Sequence, residues 1–334
     1  MMQDIISRID FSKNKKLNYY LRSYFHLLLP EPLYRKTLSL TPLTEANQQM
    51  IYDRVDYYHK WSQPFRLGEH AISLQRFRSV PKKTYFFDLY QYMRLFPEAH
   101  FNYLFGDIRH VPDVPSFVKS RPIKPQNSAS ILLNLNKVRH FIQVQDPFSF
   151  AEKKPLLVWR GAAYQPHRIQ FLAQYIGHPL CNIGQTNQCR NRQFIKPRMT
   201  IEQQLQYKFV LSLEGNDVAS NLKWIMSSNS LAVMPKPKYE TWFMEGRLQA
   251  GVHYVEIRPD YADLEEKMKF YLDHPEQARQ IIANAQQWVR QFQDPALENT
   301  IALAVIGRYL YLSTRLEPAK QALVHLPARP ILSH

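Results

Sequence analysis

The chain has 334 residues, more than a single hydrophobic core normally organises, so we expect two domains. Hydrophobic residues make up 45% of the sequence, which excludes an intrinsically disordered chain. The 43 lysines and arginines exceed the 28 aspartates and glutamates and give a net charge of +15, which favours nucleic acid, anionic lipid head groups or phosphorylated substrates as partners.

The N-terminal 30 residues contain basic and aromatic side chains but no long apolar run, so they do not predict a signal peptide. One interpretation places this segment on an anionic membrane surface. The other is an ordinary solvated helix that buries an aromatic stripe. The residues concerned are Lys13, Lys15, Lys16, Tyr19, Tyr20, Arg22, Tyr24 and Phe25.

The first 150 residues mix short helices and strands. Prolines at 112, 115, 122 and 125 exclude regular structure around them and predict a shaped loop. In chain order, the patterns predict a helix at 44–60, a strand at 71–77, a helix at 85–96, a strand at 100–107, the loop at 111–125 and a strand at 130–135.

The pattern becomes regular after residue 151. Strands are predicted at 156–161, 179–184, 208–215, 230–235 and 253–259, with helices at 167–176 and 200–207, from 218, near 240–245 and as a pair over 262–292. This alternation predicts crossover connections and a parallel sheet. We therefore place one domain at 1–150 and a second at 151–295. A helix within 296–334, with Ile301, Val305, Tyr309 and Leu312 on one face, is expected to pack back on the first domain.

Charged residues and glycines follow several of the predicted strands. Trp159-Arg160-Gly161 ends one strand, with Arg168 in the next helix, and Glu214-Gly215-Asn216-Asp217 ends another. A third strand end carries Lys236, Lys238 and Glu240. Cations, glycine backbone and a helix start are the groups that bind a diphosphate. The alternative is ordinary turn and helix-cap chemistry at each position.

Several common sites are absent from the sequence. The sequence contains no GxxxxGK[ST] motif, which would indicate a Walker-type ATPase. It also contains no GxGxxG motif after a strand, which would indicate a dinucleotide oxidoreductase. Cys181 and Cys189, the only cysteines, match no zinc or redox spacing, and so few thiols are typical of a reducing compartment. No DxD pair is present to hold a divalent ion against a diphosphate. We expect no metal site and no membrane-spanning helix.

Three segments resemble successive blocks of glycosyltransferase family 90: LLVWRGAAYQPHRIQFL, YKFVLSLEGNDVASNLKWIMSSNSLAV and HYVEIRPDYADLEEKMKFYLDHPEQARQIIANAQQWV. The resemblance covers residues 100–293, and its specificity comes from the order of the blocks. The stretch LEGNDVASNLKW is more similar to the bacterial branch, which includes lipopolysaccharide-modifying enzymes, than to the eukaryotic protein O-glucosyl- and O-xylosyltransferases.

The resemblance implies an α/β fold of the GT-B type, with two Rossmann-like domains facing across a cleft. It also implies an inverting, metal-independent transfer from a UDP-sugar without a cofactor. The family has a catalytic aspartate after a strand of the first domain, and LFGDIRHVPDVP places Asp107 at that position. A carboxylate there could remove the proton of the acceptor hydroxyl. Asp107 could also be a turn residue, with Asp113, and then His110, as the fallback base.

The donor-binding residues expected at the strand ends are Arg160, Gly161, Arg168, Lys208, Glu214, Gly215, Asn216, Asp217, Ser220, Asn221, Lys223 and Glu240. Arg160 would pair with the diphosphate, supported by Lys208 and Lys223. Glu214 or Glu240 would accept from the ribose. Lys208 could instead be solvated, and Glu240 could support a helix start. Eukaryotic members carry an arginine where this chain has Asn221 and Lys223.

The acceptor and location follow from the bacterial resemblance. We expect a surface glycan, with the lipopolysaccharide core first, and a cytoplasmic enzyme that can sit peripherally on the inner membrane. A protein or capsule-precursor acceptor and a basic nucleic-acid-binding protein are the alternatives, although no nucleic-acid-binding motif is present. Lys119, Arg121 and Lys124 are interpreted as contacts for acceptor phosphates or as a solvated basic loop.

Overall fold

A computed structural model describes residues 11–188 and 191–314, so Cys189 and the outer parts of both terminal segments lie outside the described residues. The helices of the first half are α1 (Phe11–Leu28), α2 (Glu31–Thr37), α3 (Glu45–Tyr58), α4 (Leu74–Phe77), α5 (Thr84–Met93) and α6 (Lys137–His140). Its strands are β1 (Ile72–Ser73), β2 (His100–Phe101), β3 (Tyr103–Leu104), β4 (Ser116–Val118), β5 (Ser120–Pro122) and β6 (Ser130–Leu132).

The second half alternates strands and helices over most of its length. Its strands are β7 (Lys154–Gly161), β8 (Cys181–Gln185), β9 (Tyr207–Leu211), β10 (Leu231–Met234), β11 (Tyr239–Thr241) and β12 (Val255–Glu256). Its helices are α7 (Pro166–Tyr175), α8 (Ile201–Gln204), α9 (Leu222–Met226), α10 (Leu264–Asp273), α11 (Pro275–Arg290) and α12 (Pro295–Thr314), with 3-10 turns at Arg192–Phe194 and Glu245–Arg247.

The largest sheet has five parallel strands in the order β12-β10-β9-β7-β8. All four residues of β10 are buried, because helices cover both faces of the sheet. The predicted α/β class with a parallel sheet is confirmed. In chain order the strands are arranged second, first, third, fourth, fifth, so the connections change direction between β7 and β9. Ligands of such open sheets bind at this switch point, beyond the carboxyl ends of the strands.

Parts of the first half differ from the predicted elements. The shaped loop expected at 111–125 contains β4 and β5, because Pro115 precedes β4 and Pro122 ends β5, where a proline leaves the pairing intact. β4 joins β3 and β6 in a parallel sheet. The strand expected at 71–77 becomes helix α4 after two residues, with the Ser73 hydroxyl capping the new helix.

Strand β5 pairs antiparallel with β11, which the sequence predicted as a helix at 240–245, so strands of both halves join in one sheet. Buried residues of both halves also share one cluster, which includes Phe117, Val158 and Ile301, while a second cluster lies around the five-stranded sheet. α12 packs on α3, where Glu298 pairs with buried Arg54. The division at residue 151 and the GT-B arrangement remain predictions. Within 11–188 and 191–314, no helix has the length and apolarity needed to cross a bilayer.

Candidate active site at the carboxyl ends of β7 and β9

Strand β7 ends at Gly161, and the loop to α7 follows. A Cβ on this residue would lie 2.5 Å from the ring of Trp159, so the glycine makes room for the indole. Pro166 then starts α7 in the first turn, where its missing N–H costs no hydrogen bond. This short connection brings the first turn of α7, with His167 and Arg168, beside the end of β9.

Arg168 ties the two loops of the switch point together. Its Nη1 donates to the carbonyl of Ala162 (2.7 Å), while Nε and Nη2 donate to those of Glu214 (2.8 Å) and Leu213 (2.5 Å). The guanidinium lies 5.7 Å from the centre of the Trp159 ring. Burial lowers its pKa to about 10, so Arg168 is still a cation at neutral pH. Its carbonyl partners are neutral, so a full positive charge remains at the switch point.

The carboxyl group of Glu214 is built into the loop after β9. Its Oε1 accepts from the backbone N–H groups of Lys238 (2.9 Å) and Tyr239 (3.1 Å), beyond the end of β10. Burial raises the pKa of this carboxyl group to about 7, against the effect of the two N–H groups. Glu214 therefore links the loops after β9 and β10, and its carboxyl group titrates near neutral pH.

Asp107 reaches the same place from the first half of the chain. It follows Gly106, whose φ of +108° is accessible mainly to glycine and turns the chain after β3. Its side chain is 33% exposed. Oδ1 accepts from Lys119 Nζ at 2.7 Å, and Oδ2 accepts from Asn216 Nδ2 at 3.4 Å. Burial alone would raise the pKa of Asp107, but Lys119 lowers it, so the carboxylate is ionised at neutral pH.

Lys119 joins the two halves through carboxylates. Its buried ammonium lies 2.7 Å from Asp107 and 2.7 Å from Asp217, which follows β9. Ser120 also donates to Asp217, at 2.5 Å. Burial opposes the charge of Lys119, but the carboxylates outweigh it and raise the pKa of the lysine. The solvated basic loop suggested for Lys119 is wrong, because its side chain is only 2% exposed.

Two further residues lie near Asp107 or near its partner Asn216. Arg139, on α6, is exposed, and beyond the larger effects of burial and Lys119 its charge lowers the pKa of Asp107. Gln165, before α7, donates to the Asn216 side chain at 3.1 Å. Sequence patterns gave no signal for Arg139, because α6 is only four residues long. Its place beside the site depends on tertiary contacts.

Several predicted donor residues do not join this group. Arg160 and Trp159 are neighbours on β7, so their side chains lie on opposite faces of the sheet, and Arg168 shares the Trp159 face. Arg160 donates to Asn182 and to the Pro197 carbonyl. Lys208 is at the start of β9, the opposite end from the loops, with its ammonium over the Phe150 ring.

Lys223 and Glu240 are also buried in ion pairs, so they do not face a ligand. Lys223 is buried in an ion pair with Glu245, and burial removes both side chains from solvent. Glu240 lies in β11, and Arg121 and Tyr57 donate to its two oxygens. The interpretation of Arg121 as part of a solvated loop is wrong, because the side chain of Arg121 is fully buried.

The remaining predicted residues belong to the loop itself. The amide nitrogen of Asn221 donates to the Leu211 carbonyl (2.9 Å), and its amide oxygen accepts from the Ser212 hydroxyl (3.2 Å), which fixes the entry to α9. Gly215 N–H donates to the Asp217 carbonyl at 2.8 Å and tightens the turn. Ser220 is half-buried just before α9. Of the predicted set, the structure thus brings Arg168, Glu214, Gly215, Asn216 and Asp217 to one place with Asp107.

The described residues contain no group of three or more His, Cys, Asp or Glu side chains that could hold a metal ion. Metal-independent transfer stays a prediction. Cys181 is a buried free thiol, and burial raises its pKa to about 12, which makes it an unreactive packing residue.

Comparison with known proteins identifies the class of molecule to which this site belongs. The family model for glycosyl transferase family 90 matches residues 130–295. The chain is 46% identical over 310 residues to O-glucosyltransferase LpsA of Dichelobacter nodosus, covering 91% of this chain and 96% of that protein. It is 32% identical over 84 residues to protein O-glucosyltransferase 2 of Danio rerio, covering 25% of this chain and 17% of that protein.

These matches and the α/β fold define the protein as a glycosyltransferase. The chain belongs to glycosyltransferase family 90. The matched region begins at β6 and ends at the start of α12, so it contains the five-stranded sheet and both loops of the switch point. Asp107 and Lys119 precede the region of the family match.

Proposed function

We propose that this glycosyltransferase transfers glucose from UDP-glucose to a bacterial surface glycan, with the lipopolysaccharide core as acceptor. The glucosyltransferase names of its relatives support the choice of sugar. The similarity of LEGNDVASNLKW to the bacterial branch of the family supports the choice of acceptor. In the proposed GT-B arrangement, the five-stranded sheet binds the donor and the first half holds the acceptor, at the cytoplasmic face of the membrane.

One observation carries the proposal. Lys119 holds a partly exposed carboxylate of the first half, Asp107, against the Asn216–Asp217 loop at the switch point of the sheet. A carboxylate therefore stands beside the position where open parallel sheets bind their ligands, which supports its proposed role as the base. The other carboxylate of the cluster, Asp217, is buried, so Asp107 is the member that a substrate can reach.

The proposed reaction is a single displacement. Asp107 Oδ2 takes the proton of the acceptor hydroxyl, and the acceptor oxygen forms a bond to the anomeric carbon of glucose. The bond between that carbon and the β-phosphate oxygen breaks, and UDP leaves with its electron pair. Attack opposite the leaving group inverts the anomeric configuration. The proton ends on Asp107 and the negative charge on UDP.

The developing charge on UDP needs cations that are already in place. Arg168 uses three of its N–H groups on loop carbonyls and, as a guanidinium with five such groups, keeps others for a phosphate. Arg139 adds an exposed positive charge near Asp107. We assign these two arginines to the diphosphate in place of Arg160, Lys208 and Lys223, and the proposed step requires no metal ion.

Calorimetry with UDP, GDP and ADP, followed by transfer assays with UDP-glucose, tests the proposal. We expect UDP to bind most tightly, transfer to lipopolysaccharide core oligosaccharide to continue in EDTA, and the product linkage to have the inverted anomeric configuration by NMR. Binding of an oligonucleotide that salt abolishes, without any binding of UDP, would instead support the nucleic-acid-binding alternative. Transfer only to a protein or to a capsule precursor would refute the proposed acceptor.

A further inference from the structure

Helix α1 exposes a row of large apolar side chains. Leu17 is 57% exposed, Leu21 60%, Phe25 60% and Leu28 82%. Spacings of three and four residues place all of them on one face of the helix. Isolated exposed apolar residues are ordinary, but a continuous row on one helix marks an interaction surface.

The opposite face of α1 anchors the helix to the protein. Tyr19 donates to the Asp88 carboxylate (2.8 Å) and to the Thr84 carbonyl (3.1 Å), both on α5. The ring of Tyr20 packs edge-on against Phe87, with their centres 6.0 Å apart. These contacts settle which side of α1 faces the fold. The apolar row is therefore held outward.

A basic cavity of about 410 Å³ lies beside the C-terminal end of α1. Arg78, Lys82 and Arg94 line it together with apolar side chains that include Leu27 and Leu29. Arg94 donates to the carbonyls of His26 (2.5 Å) and Leu29 (2.6 Å), which fixes its charge at the cavity wall. The acidic residue in the lining, Glu31, pairs with Arg35.

The charge of α1 itself matches that of the cavity. The sequence of Phe11–Leu28 contains three lysines and one arginine and no aspartate or glutamate. Lys16 and Arg22 are exposed on the same helix. We call the row Leu17, Leu21, Phe25 and Leu28, together with the cavity residues Arg78 and Lys82, the α1 surface.

We propose that the α1 surface docks on a bilayer that contains anionic phospholipid. The apolar row enters the boundary between head groups and acyl chains, while the cavity receives a lipid phosphate. An exposed apolar face on a cationic helix is the pattern that lies in a membrane interface. A second copy of the chain fits less well, because it would bring another cationic helix against this one. This inference does not depend on the proposed donor or acceptor.

Vesicle flotation of the full chain tests the proposal. We compare vesicles of phosphatidylcholine alone with vesicles that also contain phosphatidylglycerol. The wild type should float with the anionic vesicles, and salt should weaken the binding. Leu21→Glu/Phe25→Glu and Arg78→Glu/Lys82→Glu should each reduce the partition constant at least about tenfold. Because all four side chains are exposed, the thermal unfolding midpoint should not change.

Two variants elsewhere serve as matched controls. Phe270→Glu changes an aromatic residue that is 40% exposed on α10, and Arg279→Glu reverses an exposed charge on α11. Both should bind vesicles like the wild type. The proposal is overturned if the wild type binds neither kind of vesicle, or if the α1 variants bind as tightly as the controls. Two further results would overturn it. In one, Leu21→Glu/Phe25→Glu dissociates a dimer without weakening vesicle binding. In the other, it lowers the unfolding midpoint without weakening vesicle binding, because another part of the chain covers the row.

Discussion

Lys119 and Arg121 lie two residues apart, carry the same charge and are both buried, but their partners differ. Lys119 bridges Asp217, which is buried, and Asp107, whose side chain is one third exposed. Arg121 pairs with Glu240, which is buried, and its other N–H groups donate to backbone carbonyls. Solvent access to the partner carboxylate distinguishes the candidate reactive cluster from the structural ion pair.

The strongest test of this comparison is Asp107→Asn. An amide keeps the size of the side chain but cannot take a proton at neutral pH, so transfer should fall by about 100- to 10,000-fold. UDP affinity should remain within about twofold, because the proposed diphosphate contacts come from other residues. Rates of transfer and calorimetry measure the two effects. Asp113→Asn is the control and should keep full activity, whereas an active Asp107→Asn enzyme rules out this base.

Arg121→Met tests the structural member of the comparison. The substitution removes the buried cation of the Glu240 carboxylate and leaves only the partly exposed Lys60 ammonium, 3.8 Å away, so we expect a loss of about 3–5 kcal/mol in the free energy of unfolding. Urea denaturation measures this loss. Adding Glu240→Gln removes the stranded charge and should recover part of the stability. A loss below about 1 kcal/mol would place Arg121 among weak surface pairs instead.

Arg168→Ala and Arg160→Ala compare the two faces of β7. Arg168→Ala should weaken UDP binding about 10- to 100-fold, because it removes a charge and three hydrogen bonds that position both loops. Arg160→Ala should change UDP affinity by less than about twofold, since its guanidinium is bonded on the other face. Calorimetry with UDP measures both affinities. The reverse order would restore Arg160 as the diphosphate contact expected from sequence.

Lys119→Met tests the electrostatic part of the cluster. Burial raises the pKa of Asp107, and Lys119 is the main group that lowers it. Without the lysine, the pKa of the base should rise, and the acidic limb of kcat/KM against pH should move to higher pH. An unchanged acidic limb in a folded variant would show that the lysine only supports the structure.

The last prediction concerns Glu214. Its pKa is about 7 in the folded protein and 4.5 ordinarily, so between these values the folded state holds a proton that the unfolded chain has lost. The contribution of Glu214 to stability therefore falls as pH rises through this window. Relative to wild type, Glu214→Gln should become more stable from pH 4.5 to pH 7, as followed by thermal unfolding. A constant difference would contradict the raised pKa.

Local sequence signals located the second half of the chain well. The apolar runs at 156–161 and 230–235 are strands β7 and β10, because a strand covered on both faces needs continuous apolar residues. The glycine and polar residues after β9 marked a loop that the structure places at the switch point. The residues at 240–245 were wrongly predicted as a helix, since the pairing of β11 with β5 is a contact across about 120 positions of sequence.

The sequence by itself determined the alternation of strands and helices after residue 151 and the parallel sheet, because periodicity is a local property. Asp107 became the candidate base through the resemblance to the family. Only the tertiary structure decided which cations stand beside that base. Lys119 and Arg139 reach it through long-range packing, and Arg160 and Lys208 are kept away by strand alternation and strand direction. The sequence shows which residues are charged, but the partner of each charge depends on which distant segments the fold brings into contact with it.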